Sequence, residues 1–327
     1  MFKALVLDQS EGKTVAEIKQ LSTDDLPEGE VLVAVDYSSL NYKDGMAVSG
    51  TGKIIRQWPM VPGIDFAGKV LESASDRFTA GDQVILTGWG VGERYWGGYA
   101  QQARVKADWL VHTPAGLDSR KAMIIGTAGF TAMLCVMTLQ EAGVTPESGP
   151  VLVTGAAGGV GSVSVALLSK LGYTVSAVTG RESTHDYLKS LGATEIVTRE
   201  EMAAPARPLE SQRWAGAVDT VGGDILGRVL AEMDYNGAVA ACGLAADYKL
   251  NTTVMPFILR NVSLRGVDSV SCPLPRREAA WQKLAELLPE STYESISHVV
   301  SLEEVEDAAQ QIMKGQVQGR VLVDPNN

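Results

Sequence analysis

The chain has 327 residues, more than one ordinary hydrophobic core accommodates, so two domains are expected. Its 45% hydrophobic and 20% charged residues are those of a globular protein, and no apolar run is read as reaching the roughly 18 residues of a membrane helix. Asp and Glu outnumber Lys and Arg 39 to 28, a formal charge of −11, which argues against a nucleic-acid binder because phosphate contacts need cations.

In chain order, Met1-Phe2-Lys3-Ala4-Leu5-Val6-Leu7-Asp8 reads as a first strand rather than a signal peptide, and the expectation is a cytoplasmic protein. The first ~120 residues are rich in short strands, among them Glu30 to Val35, Asp65 to Val70 and Asp82 to Leu86, with Gly and Pro turns between them. That is the texture of a compact, barrel-like β domain. The pattern changes near Lys121, where Ala122 to Val136 suits a buried helix. From Val151 onward, strands alternate with helical segments: Val151 to Val153, Thr174 to Val178, Glu195 to Val197, Ala217 to Val221, Gly237 to Ala241 and Val262 to Gly266. Such alternation builds βαβ units and a parallel sheet, and six strands complete a doubly wound one. Two amphipathic helices, Arg276 to Leu288 and Leu302 to Met313, then precede a last strand at Gly319 to Val323, which is expected to return to the β domain.

One turn carries chemistry. The strand Val151 to Thr154 runs into Gly155-Ala156-Ala157-Gly158-Gly159-Val160-Gly161, and a helix follows with apolar positions at Val160, Val163, Leu167 and Leu171. In the G-x-G-x-x-G register Ala156, Gly158 and Gly161 take the three key positions. Gly158 lets the backbone approach a pyrophosphate, and Gly161 lets helix and strand pack closely. The free N–H groups of the helix start complete an anion site, so Ala157, Gly158, Gly159 and Val160 are candidate cofactor contacts. At the end of the next strand, an NAD-preferring site would carry Asp or Glu for the ribose hydroxyl. This chain has Thr179-Gly180-Arg181-Glu182-Ser183. Gly180 leaves room, Arg181 can pair with a 2′-phosphate, Thr179 and Ser183 can donate hydrogen bonds, and Arg199 is a second cation. The expected cofactor is NADPH.

Cys135, Cys242 and Cys272 are widely spaced and odd in number, which excludes a complete disulfide framework and reads as buried, reduced thiols. His112, His185 and His298 stand at no ligand spacing to a Cys or carboxylate, so no metal site is expected.

Several stretches carry a resemblance: Ser39-Leu40-Asn41-Tyr42-Lys43-Asp44, Pro62 to Gly68, Leu86 to Gly92, Ile125 to Ala132, the glycine turn, and Met255 to Asn261. Together the chain resembles the medium-chain dehydrogenase/reductase superfamily, in its quinone oxidoreductase-like branch, and there the acrylyl-CoA reductase group. Zinc enzymes of that superfamily have Gly-His-Glu where this chain has Gly63-Ile64-Asp65. The resemblance implies an α/β chain with a GroES-like β-rich catalytic domain, residues 1–123 and 292–327, and a Rossmann doubly wound parallel-sheet domain for NADPH, residues 124–291. It implies zinc-independent hydride transfer that reduces the activated C=C of acryloyl-CoA to propionyl-CoA.

It also implies a homodimer, paired through the apolar edge strand at 262–267. By the same resemblance Tyr42, with Asn41 beside it, either donates the proton and steadies the enolate or only contacts the cofactor. Asp65 either orients that cluster or caps a turn. Leu244, Ile258, Ser269 and Arg320 are implied cofactor contacts, with a surface ion pair as the other reading of Arg320. Thr127 and Thr131 either line the cleft or pack. An NADPH:quinone or general enone reductase is the second enzymatic reading, and an NADPH-binding sensor the non-catalytic one.

Overall fold

The computed structural model describes residues 1–295 and 297–327. The chain divides into two compact units. One holds Met1–Thr127, Ser269–Ala285 and Tyr293–Asn327, and the other Ala128–Asp268 and Glu286–Thr292.

The β-rich unit begins with an antiparallel pair, β1 (Phe2–Ser10) and β2 (Lys13–Leu21). Strand β3 (Val31–Leu40) follows, then helix α1 (Tyr42–Ser49), β4 (Asp65–Ser73), β5 (Gln83–Thr87), β6 (Gln102–Val105) and β7 (Leu110–His112). Inward-facing Val31, Val33, Val35, Phe66, Val70, Val84 and Leu86 alternate along these strands and form a core on one face of the sheet.

Helix α2 (Ser119–Glu141) is long and apolar enough to cross a membrane. This corrects the expectation that no such segment exists, although 94% of its most apolar stretch is buried within the fold, which is how a core helix behaves. It is also longer than the expected 122–136 and broken at Gly126 (φ 51°, ψ −161°).

The second unit alternates as expected: β8 (Val151–Val153), α3 (Gly159–Lys170), β9 (Val175–Thr179), α4 (His185–Ser190), β10 (Glu195–Thr198), α5 (Arg199–Ala203), β11 (Trp214–Asp219), α6 (Gly223–Glu232), β12 (Met233–Ala241), α7 (Met255–Arg260) and β13 (Ser263–Gly266). All six strands are parallel, in the order β10-β9-β8-β11-β12-β13. Renumbered from β8, that is 3-2-1-4-5-6, the doubly wound order whose reversal beside β8 opens a ligand crevice at the carboxyl ends of the strands. Strand β13 lies at the sheet edge.

After α8 (Leu274–Leu287) and α9 (Glu290–Ser295), β14 (Ser297–Ser301), α10 (Val305–Met313) and β15 (Arg320–Asp324) return to the β-rich unit. There they extend its main sheet to the order β14-β15-β3-β4-β5-β7, with β6 also paired to β3.

The unit boundaries differ from those expected. Residues 269–285, expected in the parallel-sheet domain, belong to the β-rich unit. The buried guanidinium of Arg277 on α8 explains the difference. It donates to the carbonyl and Oγ1 of Thr87 on β5 (2.7 and 2.6 Å), gathers the carbonyls of Ser269 and Val270, and lies over the Trp89 ring. The Trp89 backbone N–H in turn donates to the Val270 carbonyl.

Candidate functional site

In the β-rich unit, Asn41 directly follows β3 and caps α1, so Tyr42 is the first helical residue. The Tyr42 side chain is 40% exposed, whereas Asn41 is buried. The Asp44 carboxylate, three residues on, accepts the Asn41 backbone N–H (2.9 Å), the carboxylate half of a capping box. Strand pairing then brings Asp65 and Arg320 to the same place. Val321 pairs with Leu40, and Phe66 with Ser38, so the residues preceding Val321 and Phe66 arrive beside the end of β3.

These side chains form one buried polar network. Asp65 accepts from Ser39 N–H (2.9 Å), Ser39 Oγ (2.8 Å), Asn41 Nδ2 (3.0 Å) and Thr127 N–H (2.8 Å). Arg320, only 3% exposed, donates through Nη2 to Ser39 Oγ (2.7 Å), through Nε to the Ile124 carbonyl (3.0 Å) and through Nη1 to Asn41 Oδ1 (3.4 Å). The surface-ion-pair reading of Arg320 is therefore overturned. Asp65 is the hub of the cluster and not a turn cap.

The break in α2 makes this network possible. A Cβ on Gly126 would stand 2.5 Å from Arg320 Nη2 and 2.7 Å from Ser39 Oγ, so only glycine fits, at a φ that glycine alone adopts freely. Burial first, and then the charge of Asp65, raise the Asp44 carboxyl to about 7 against the hydrogen bonds from Asn41 and Ile64. Burial pushes the nearby Tyr99 phenol, which donates to the Ser39 carbonyl, well above its ordinary value. Ser39 and Asp44 lie in the stretch that carries the resemblance but had no role read for them, although an Asn followed three residues later by Asp is a capping signal for Asp44; Tyr99 gave no signal.

In the parallel-sheet unit, Gly158 is the N-cap of α3 in extended conformation, and the N–H groups of Gly159, Val160 and Gly161 form the first turn, where a helix has no partners of its own for them. The left-handed residue of the loop is Gly155 (φ 59°), one position before Ala156, which takes the first place of the G-x-G-x-x-G register. A Cβ on Gly161 would overlap the Gly155 carbonyl, which is the close helix–strand approach that a dinucleotide site requires.

At the end of β9, Thr179 is buried and its hydroxyl is engaged within the turn: it pairs with Thr184 Oγ1 (2.9 Å) and accepts the Arg181 N–H (3.2 Å). Thr179 thus shapes the turn that presents Arg181. Exposed Gly180 has the Arg199 guanidinium across it, since a Cβ there would lie 2.9 Å from Arg199 Nε. Two cations, and no carboxylate partner to a ribose hydroxyl at position 180 or 181, fit a 2′-phosphate. The turn, the helix start and this pair fit NADPH.

Leu244, in the loop after β12, and Ile258, on α7, are strongly exposed apolar residues of this unit. Ser269 lies in the β-rich unit, where its carbonyl accepts from Arg277, and so do Thr127, Tyr42, Asn41 and Arg320, while Thr131 is a buried residue of the other unit. Among the described residues no group of three or more His, Cys, Asp and Glu could hold a metal ion.

Residues 27–115 match the alcohol dehydrogenase GroES-like domain family, and residues 159–290 the zinc-binding dehydrogenase family. The chain is 62% identical to the Escherichia coli protein named probable acrylyl-CoA reductase AcuI, over 99% of this chain and 100% of that one. It is 57% identical to acrylyl-CoA reductase AcuI of Ruegeria pomeroyi over the full length of both. The crystal structure of E. coli K-12 YhdH with bound NADPH superposes with a TM-score of 0.97 at 62% identity, covering 99% of this chain and all of that one. On a GroES-like β unit, a doubly wound parallel sheet and full-length likeness, the chain belongs to the medium-chain dehydrogenase/reductases, in the acrylyl-CoA reductase group of their quinone oxidoreductase-like branch.

Proposed function

We propose that this chain is an NADPH-dependent reductase that converts acryloyl-CoA to propionyl-CoA. The observation that carries the cofactor half is the end of β9, where the Arg199 guanidinium lies across Gly180 and Thr179 accepts the Arg181 N–H of the same turn. The substrate half is supported by the full-length likeness to proteins named acrylyl-CoA reductase.

NADPH, when bound, supplies the hydride that the β-carbon of the enoyl thioester accepts. The chain's residues provide the rest. Ala157 to Val160 and the start of α3 hold the pyrophosphate, Arg181 and Arg199 hold the 2′-phosphate, and Leu244, Ile258, Ser269 and Arg320 are assigned to the remainder of the cofactor. Reduction at the β-carbon leaves negative charge on the thioester oxygen, which needs a donor, and then a proton at the α-carbon. The hydroxyl of Tyr42, an exposed residue, is the donor assigned to that work, and Asn41, clamped by Asp65 and Arg320, fixes the helix start that carries it. The same reading places the enzyme in the cytoplasm as a homodimer paired along the edge strand β13, independent of zinc.

NADPH oxidation should be followed with acryloyl-CoA, crotonyl-CoA and a benzoquinone, each with and without a chelator. The expected result is preferred turnover of acryloyl-CoA, unaffected by chelation. Equal or faster reduction of the quinone would replace this reading with that of a quinone or general enone reductase.

A further inference from the structure

Thr184, 1% exposed, stands at the N-cap of α4, where a threonine hydroxyl ordinarily accepts an N–H from the first turn of the helix. Its hydroxyl makes no such bond. Thr184 Oγ1 donates instead to the Arg181 carbonyl (2.7 Å), an acceptor that also receives the Thr184 N–H (3.0 Å). A hydroxyl that could have stabilised its own helix is spent on the residue three positions earlier.

The direction of the remaining bonds follows. A hydroxyl has one proton, and Thr184 has given its own to a carbonyl, so Thr184 Oγ1 accepts from Thr179 Oγ1, 2.9 Å away. Thr179 Oγ1 in turn accepts the Arg181 N–H (3.2 Å). The bonds therefore close on the residue where they begin, from Arg181 N–H to the Thr179 hydroxyl, to the Thr184 hydroxyl, to the Arg181 carbonyl. Two buried hydroxyls hold both backbone polar groups of Arg181 and keep it extended (φ −121°, ψ 109°). Each hydroxyl donates and accepts at once, which strengthens the neighbouring bonds and makes the ring depend on every member. Strand register adds the second cation: Thr198 pairs with Thr179, so Arg199, the next residue, falls beside Gly180.

We propose that Thr184 is a positioning residue for NADPH selectivity, its hydroxyl closing the ring that fixes Arg181 for the 2′-phosphate. This role rests on the reading of Arg181 as a phosphate contact. Without the ring, the turn and the long side chain that it carries would have to be ordered each time a phosphate bound. With it, the backbone is ordered already on folding. The benefit reaches only a cofactor that bears the phosphate, because NADH has a hydroxyl at that position and makes no ion pair there. Loss of the Thr184 hydroxyl is expected to raise the NADPH dissociation constant about threefold to tenfold, the range for ordering one long side chain, and to leave that of NADH within about twofold.

The test measures dissociation constants for NADPH and NADH by isothermal titration calorimetry in wild type, T184V, T184A, T184S, R181A and the R181A/T184V double variant. T184V and T184A, both lacking the hydroxyl, should weaken NADPH and spare NADH, whose binding also reports an intact fold. T184S keeps the hydroxyl and should resemble wild type. T184V should add nothing once Arg181 is gone, since the hydroxyl acts through that residue. Equal weakening of both cofactors in T184V and T184A would make the hydroxyl merely structural and overturn the proposal. Unchanged NADPH affinity in those variants also overturns it, as does T184S as weak as T184V, or a T184V effect that persists in full beside R181A. An R181A protein that prefers NADPH as strongly as wild type would overturn the reading of Arg181 itself, and this role with it. Selectivity lost in R181A but kept in T184V would overturn the role of Thr184 alone.

Discussion

Replacing Asp44 with Asn probes the buried network at the start of α1 through its response to pH. The carboxylate receives the backbone N–H of Asn41 (2.9 Å), Asn41 Nδ2 (3.2 Å) and the Ile64 N–H (3.0 Å), yet burial and the charge on Asp65 still raise it from 3.8 to about 7. Between those values the folded state keeps a proton that the unfolded chain has released. Stability therefore falls as pH rises through this window and levels off above it. Integrated from pH 5 to pH 8, that single group costs roughly 2–3 kcal/mol.

Asn cannot titrate, so D44N lacks this slope. At pH 5, where wild type holds a neutral acid at this position, the variant should be the less stable protein by about 1–3 kcal/mol, because an amide nitrogen cannot accept from the Asn41 or Ile64 N–H groups as the acid's hydroxyl oxygen can. Toward pH 8 that deficit should shrink or invert by the 2–3 kcal/mol that wild type loses. Urea denaturation at several pH values measures it. Tryptophan fluorescence is a suitable signal, since Trp58, Trp89, Trp96, Trp109 and Trp281 lie in the β-rich unit and only Trp214 in the other. Parallel pH dependence in the two proteins would refute the reasoning.

Two further outcomes are expected. R181A should raise the Michaelis constant for NADPH by about tenfold to a hundredfold, the value of one charge-assisted phosphate contact, and leave that for NADH nearly unchanged; kcat/KM measured with both cofactors checks it, and equal losses would reject the assignment of Arg181. Y42F should lower kcat by about a hundredfold with little change in the NADPH Michaelis constant if its hydroxyl serves the reacting thioester; near-normal turnover in a steady-state assay would reduce Tyr42 to a binding residue.

Much of the parallel-sheet unit was legible because its signals are local. A strand, a glycine turn and a helix must follow one another within about thirty residues, and β8, Gly158 and α3 do so. The Gly180-Arg181 pair was legible for the same reason, being one step beyond the next strand. The placement of 269–285 was not. Periodicity identifies α8 as a helix but cannot say which unit it packs on, and that is decided by the buried Arg277 reaching Thr87 on a strand far away in sequence.

The role of Asp65 shows where the structure adds chemistry to the pattern. A carboxylate beside a candidate proton donor invites assignment as a general base. An ionised carboxylate offers about four acceptor sites, and Asp65 spends them on Ser39 N–H, Ser39 Oγ, Asn41 Nδ2 and Thr127 N–H. Taking a proton would mean giving up one of those bonds inside a buried cluster, where an orphaned donor costs about 1–3 kcal/mol. Arg320 reinforces the arrangement by donating to the same Ser39 hydroxyl and to the other end of the Asn41 amide. Asp65 is thus a positioning residue: it locks Ser39, Asn41 and the broken helix at Thr127 together. Tyr42, the exposed first residue of α1, takes part in none of these bonds and is the residue proposed to meet substrate.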